Sequence, residues 1–276
     1  MVDLTGKDPV LSARDLRVTY PGGIRALDGV SVSAQTGEFV ALIGPNGSGK
    51  STLLQCLAGL LRSDGGQVTV EGKAIREFAV LERAKHMAYV QQNNNTPEYM
   101  TALEFTLLGR YAHLKGWRVF SSRDYELARE ALKQAYAFEF CERLMTELAG
   151  GERQRVILAR AMAQDAPVVL LDEPTSALDA RHQVLICEMI RRMRAKGKTV
   201  VAATHDLNLA SQFADRLYLL NEGRIAAEGT PEQTLTRECL ERVYDIEVAY
   251  GFFDDTVDGK VRPWVLPKAR KETREK

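Results

Sequence analysis

A chain of 276 residues can bury a sizeable core as one large domain or two small ones. Hydrophobic residues at 45% and charged residues at 27% describe an ordinary soluble globular protein. Lys plus Arg and Asp plus Glu number 37 each, so the net charge is zero, which argues against bulk electrostatic attachment to nucleic acid and leaves at most a local basic patch.

Four cysteines, Cys56, Cys141, Cys187 and Cys239, form no CxxC pair and are too scattered for a disulfide framework. They suit a reducing compartment. Residues 1–9 offer no apolar core for a signal peptide, and no run approaches the roughly 20 apolar residues that span a bilayer. The expectation is a cytoplasmic chain whose membrane role comes through a partner.

In chain order, residues 12–20 and 30–43 read as strands, and Phe39-Val40-Ala41-Leu42-Ile43 suits a buried parallel strand. A glycine-rich loop follows, then a helix expected over 50–61. Leu53, Leu54, Leu57, Ala58, Leu60 and Leu61 give that helix a broad buried face, and Asp64-Gly65-Gly66 is expected to end it. Residues 67–70 alternate like a strand with one exposed face. From 93 to 148 the pattern turns helical, with 124–137 the clearest helix and Ser121-Ser122 available as its cap. That stretch reads as a helical subdomain inserted into an α/β core. Buried strands resume at 168–171 and 199–203 around a helix over 181–196, a doubly wound α/β pattern.

The stretch from Thr236 reads as a small appendix. Ile246, Val248 and Tyr250 alternate, and Asp258-Gly259 is a plausible hairpin turn. Residues 268–276 are charge-rich and expected to be disordered. There is no internal repeat and no low-complexity tract.

Gly44-Pro45-Asn46-Gly47-Ser48-Gly49-Lys50-Ser51, with Thr52 directly after it, has the spacing of a P-loop. Its glycines let successive backbone N–H groups curl around phosphates, and the following helix aims its positive end at them. Lys50 would reach the β- and γ-phosphates and the Ser51 hydroxyl would ligate magnesium. An ordinary glycine-rich turn is the bland alternative, but here the pattern follows a buried strand and opens a helix. Asp172 and Glu173 end a wholly apolar strand; we assign Asp172 to the metal and Glu173 to the attacking water. Two acids capping a strand in solvent would look the same without the P-loop.

Leu148-Ala149-Gly150-Gly151-Glu152-Arg153-Gln154-Arg155 lies a short helix ahead of Val168-Val169-Leu170-Leu171-Asp172-Glu173-Pro174. Together the two runs resemble the signature motif and Walker B strand of the ATP-binding cassette (ABC) ATPases. The resemblance implies a P-loop NTPase core with an N-terminal antiparallel β subdomain and an inserted helical subdomain. It divides the chain into an ATP-binding domain at 11–240, holding a helical insert at about 93–160, then the appendix at 241–267 and the tail at 268–276.

The same resemblance matches His205 to the switch histidine, Asp179 to the D-loop and Tyr20 to the aromatic that stacks on adenine. Tyr20 could equally be a strand-end core tyrosine. Gln92 matches the Q-loop glutamine that senses magnesium and γ-phosphate, with Gln91 its rival. His86, His113 and His182 are read as structural. The family's usual signature Ser is Ala149 here, so one hydroxyl donor to the γ-phosphate is missing while the amides of Gly150 and Gly151 and the helix dipole remain.

Finer marks resemble the bacterial importer ATPases for iron-siderophore, haem and vitamin B12. They are Leu108-Gly109-Arg110-Tyr111-Ala112-His113-Leu114, Thr204-His205-Asp206-Leu207-Asn208-Leu209-Ala210, Glu228-Gly229-Thr230-Pro231 and the ending Val243-Tyr244-Asp245-Ile246-Glu247-Val248. That likeness implies ATP and Mg2+ as cofactors and a homodimer at the cytoplasmic face of the inner membrane beneath two transmembrane permease subunits. A periplasmic or extracellular substrate-binding protein would complete the system, and no nucleic acid is expected. Two other classes stay open: a soluble ABC ATPase acting on DNA or the ribosome, and a nucleotide-binding regulatory subunit that does not hydrolyse.

Overall fold

The computed structural model describes residues 8–92, 97–115, 119–176, 178–254 and 259–268. Strands β1 (Leu11–Tyr20), β2 (Ile24–Ala34) and β3 (Phe39–Ile43) lead into helix α1 (Lys50–Leu57). Next come β4 (Gly65–Val70), β5 (Lys73–Ala74), α2 (Val80–His86) and β6 (Met87–Val90). A helical stretch holds α3 (Ala102–Leu107), a 3-10 turn (Leu108–His113), α4 (Ser122–Gln134) and α5 (Gly150–Gln164). Then follow β7 (Val168–Asp172), α6 (Ala180–Ala195), β8 (Thr199–Ala203), α7 (Leu207–Phe213), β9 (Arg216–Asn221) and β10 (Arg224–Gly229). The chain closes with α8 (Pro231–Thr234), α9 (Arg237–Tyr244), β11 (Glu247–Asp254) and β12 (Val261–Lys268).

Two sheets make the body. One is antiparallel in the order β2-β1-β4-β5; the other runs β10-β9-β3-β8-β7-β6, parallel throughout except for the edge strand β10. The inner strands β3, β7 and β8 are buried at every residue, as parallel strands covered on both faces must be. One core lies between the sheets and includes Leu53, Leu54 and Leu57 of α1, each worth about 1.5–3 kcal/mol of burial. The other packs α3, α4, α5 and α6 on the far face of the parallel sheet.

Three expected elements have different bounds. The single strand expected over 30–43 is two strands, because β2 pairs in the antiparallel sheet and β3 in the parallel one. A turn joins them, closed by Glu38 N–H to Gln35 O at 3.1 Å and Gln35 N–H to Glu38 Oε2 at 2.7 Å. Helix α1 stops at Leu57, not Leu61: Gly59 turns the chain at φ +65, and the N–H groups of Leu60 and Leu61 both fold back to Gln55 O. Leu60 is 56% exposed, so it belongs to no buried face. Helix α4 carries the expected Ser121 cap, in a reciprocal box with Asp124, but ends at Gln134 rather than 137.

Arg110 fastens the helical stretch from within. Its Nε lies 3.2 Å from Asp124 Oδ1 and its Nη1 donates to Ala163 O at 2.8 Å, tying the 3-10 turn to α4 and α5. The hairpin β11–β12 sits on α7 through Asn208, which donates to Val265 O at 3.0 Å and accepts from Val265 N–H at 2.8 Å. Asp258 of the expected hairpin turn, and residues 269–276, lie outside the described residues. All four cysteines are free thiols, three of them buried.

Candidate functional site

The loop after β3 is shaped by two backbones. Gly44 has φ +147, and a Cβ there would lie 2.2 Å from Leu220 O; Gly49 has φ +104, and its Cβ would lie 2.5 Å from Ala26 O. Only glycine fits either place. Gly223 N–H, from the β9–β10 turn, donates to Ser48 O at 3.1 Å and pins the loop from outside. Asn46 and Gly47 are exposed at the loop's crest, beside Pro45.

Gly49 opens α1, which places Lys50 and Ser51 in its first turn. Lys50 Nζ donates to Gly44 O at 2.8 Å and Pro45 O at 2.9 Å, so its ammonium sits under the loop. Burial pulls its pKa down, opposed by the carboxylates of Glu173 and Asp172. Ser51 Oγ donates to Asp172 Oδ1 at 3.1 Å. Thr52 Oγ1 lies 3.3 Å from the Tyr20 hydroxyl, which brings that strand-end tyrosine to the mouth of the loop, 37% exposed.

Strand β7 delivers the two acids. Asp172 is only 4% exposed, and burial raises its pKa; the hydrogen bond from Ser51 pulls the other way. The next residue leaves the strand abruptly: Glu173 has φ +48, an uncommon backbone for a non-glycine, held by its N–H to Ala203 O at 3.0 Å. Its Oε2 accepts from Gln92 Nε2 at 2.8 Å and lies 3.6 Å from His205 Nδ1. Gln92 follows β6 and His205 follows β8, the two neighbours of β7, so the parallel sheet converges all three side chains at its carboxyl edge. Gln91, the rival for that position, is exposed just past the end of the same strand, β6.

Sequence reasoning missed Tyr89. Its hydroxyl points to Asp172 Oδ2 at 3.5 Å, and burial with the nearby Asp172 charge pushes its pKa well up, so it stays a neutral donor. Tyr89 is opposite Leu170 in the β6–β7 register, a neighbourhood that spacing along the chain does not reveal.

Ala149, Gly150, Gly151 and Glu152 are not drawn into this cluster. They open α5, with Ala149 at the N-cap. Glu152 Oε2 accepts from Ala149 N–H at 3.0 Å, but alanine has no side-chain oxygen to return the bond, so only half a capping box exists. Asp179 caps α6 and accepts from His182 N–H at 2.9 Å. Ala177, beside it, lies outside the described residues.

Ser51 and Asp172 offer oxygen ligands only, side by side at the end of a nucleotide-type loop, which fits a hard cation such as Mg2+. Among the described residues no three His, Cys, Asp or Glu side chains are grouped to hold a metal by themselves. A magnesium site completed by phosphate and water needs no such group.

A family model described as ABC transporter matches residues 27–176, more than half of the chain, from within β2 through the Asp172-Glu173 edge. The chain belongs to the ABC transporter family. Its fold is the ABC ATPase cassette. The cassette is similar to the cobalamin import ATP-binding protein BtuD of Halobacterium salinarum, 36% identical over 96% of this chain and 64% of that one. It therefore spans less than two thirds of that relative's length. It is also similar to the ferric enterobactin transport ATP-binding protein FepC of Escherichia coli, 36% identical over 94% of each chain. Among solved structures, an inward-facing ABC transporter of metal-chelate type aligns with a TM-score of 0.82 and 28% identity, over 95% of this chain and 99% of that one.

Proposed function

We propose that this cassette is the ATP-hydrolysing subunit of an importer for iron-siderophore, haem or cobalamin. The observation that carries the hydrolytic half is the convergence of Gln92, Glu173 and His205 beside the P-loop. The cargo class rests on the names of relatives that align along nearly the whole chain.

In this reading Lys50 and the loop amides bind the β- and γ-phosphates, and Tyr20 stacks on adenine. Ser51, Asp172 and Gln92 would hold Mg2+, which would supply charge neutralisation at the phosphates. Glu173 accepts a proton from the attacking water, and Gln92 and His205 hold its carboxylate in place. The signature (Ala149 to Glu152) and Asp179 face the nucleotide of a second copy, so the working site is shared across a homodimer. The helical insert at about 93–160 receives a permease subunit around 93–118, while 241–267 forms a small C-terminal appendix packed on α7. Among the described residues no helix is long and apolar enough to cross a membrane. Attachment to the cytoplasmic face of the membrane is through two permease subunits, with a substrate-binding protein acting from outside.

Copurification from membranes tests this directly. A polytopic membrane protein should accompany the tagged chain, and growth on single iron or cobalamin sources should fail on its deletion. Recovery of ribosomes or DNA alone would show that the transporter reading is wrong.

Ala149 sets a second test. A hydrogen bond to a charged group contributes about 1.5–3 kcal/mol. Ala149→Ser is therefore expected to strengthen ATP-driven dimerisation by roughly tenfold or more. The new hydroxyl has a competing use as acceptor for Glu152 N–H, completing the half-made capping box and stabilising α5 by about 1 kcal/mol. Dimerisation by analytical ultracentrifugation, read beside thermal unfolding, separates the two uses. If melting rises while ATP affinity and turnover stay unchanged, the lost phosphate donor does not limit this cassette.

A further inference from the structure

Gly150 and Gly151 are neighbours in the signature, yet their surroundings differ. A Cβ on Gly150 would meet nothing within 4 Å, whereas one on Gly151 would lie 2.5 Å from His182 Cδ2, 2.7 Å from Cγ and 2.8 Å from Nε2. The imidazole of His182 therefore rests directly on the first turn of α5. The same ring reaches in the opposite direction: its Nδ1 is 2.8 Å from Asp179 Oδ1, the carboxylate that also accepts His182 N–H. Asp179 is largely exposed, while the ring is three-quarters covered. One side chain thus touches both the signature and the residue matched to the D-loop, within a single subunit.

We propose that His182 is a positioning residue that ties Asp179 to the signature helix, so that the two elements this subunit presents to its partner's nucleotide move as one body. This rests on the shared-dimer reading above. Its physical basis is simple. The backbone N–H of His182 fixes where Asp179 sits at the start of α6, but it carries no information about α5. The ring supplies that link, by packing on a glycine that leaves room for it and by donating Nδ1–H to Asp179 Oδ1. Truncate the side chain at Cβ and Asp179 keeps its cap but is released from the signature.

The test uses the full chain carrying Glu173→Gln, in which ATP-bound dimers should accumulate. His182→Ala is expected to lower ATP-driven dimerisation about tenfold, the weight of one charge-assisted hydrogen bond, with ATP binding to the monomer unchanged. His182→Asn, whose amide N–H can occupy the place of Nδ1–H and whose Cγ and Oδ1 take the places of the ring's Cγ and Cδ2 against Gly151, should recover most of that loss. In a double-mutant cycle with Asp179→Ala, the two losses should not multiply, because both remove one link. Dimerisation within twofold of the parent in His182→Ala would overturn the proposal. So would an Asn variant as weak as Ala, or losses that multiply. Should the Ala variant fold poorly, the Asn variant and the Asp179→Ala background still decide. A parent that stays monomeric with ATP instead removes the dimer reading, and this inference with it.

Discussion

Glu173→Gln is expected to lower steady ATP turnover by roughly 10²–10⁴-fold, the usual weight of a general base, while ATP still binds. The substitution keeps size and removes the charge and the basicity. The carboxylate is oriented from three sides: by a backbone at φ +48, by Gln92 at 2.8 Å and by His205 at 3.6 Å. Such convergence on one oxygen suits a group that must point at a water, and it has little value for a strand cap. Phosphate release under saturating ATP measures the effect. Turnover that survives unchanged would place the base elsewhere, and a parent with no turnover at all would favour the non-hydrolysing regulatory reading.

Asp172→Asn should separate stability from function. Burial raises the Asp172 pKa, so the folded chain holds that proton more tightly than the unfolded one does. The group's stabilising contribution is complete below its unfolded pKa and is lost as pH rises through the raised folded value. Above that value the ionised carboxylate is a net cost. Asparagine removes that cost and keeps one acceptor for Ser51 or Tyr89. Lys50 loses no direct partner, because its ammonium donates to Gly44 O and Pro45 O.

The nucleotide-free Asn variant should therefore melt above the parent at pH above the raised folded value, and the gap should close as pH falls through that value toward the unfolded one. Turnover should drop on the order of 10²–10³-fold, the weight of losing the Mg2+ ligand that Asp172 is proposed to be. With Mg2+ and ATP added, the parent should gain thermal stability that the variant does not. A variant that melts below the parent without nucleotide would mean that the bonds from Ser51 and Tyr89 outweigh burial of the charge.

Much of the candidate site was readable because its residues lie in short contiguous runs. The P-loop follows a strand whose five residues are all apolar, and Asp172-Glu173 ends another. Reading failed where a local pattern continued past the structural boundary. Residues 30–43 keep their apolar character through a turn that moves the chain from one sheet to the other. Leu60 and Leu61 prolong the helical period, although Gly59 has already turned the backbone. Contacts between elements were the least legible. Tyr89 meets Asp172 only through strand register, and His182 meets Gly151 only because α5 and α6 start side by side. A periodicity has no way to encode either pairing.

The P-loop is braced from both sheets. Leu220 O, from β9, backs Gly44, and Ala26 O, from β2, backs Gly49. Its curvature is therefore a gauge of how the two sheets are set against each other. Nucleotide arrives at a mould that is already cast, so loading and exchange should be limited by diffusion and release rather than by refolding of the loop. The shape of that mould is also hostage to two residues, Ala26 and Leu220, whose contribution is made through backbone oxygens and would escape any survey of side-chain chemistry.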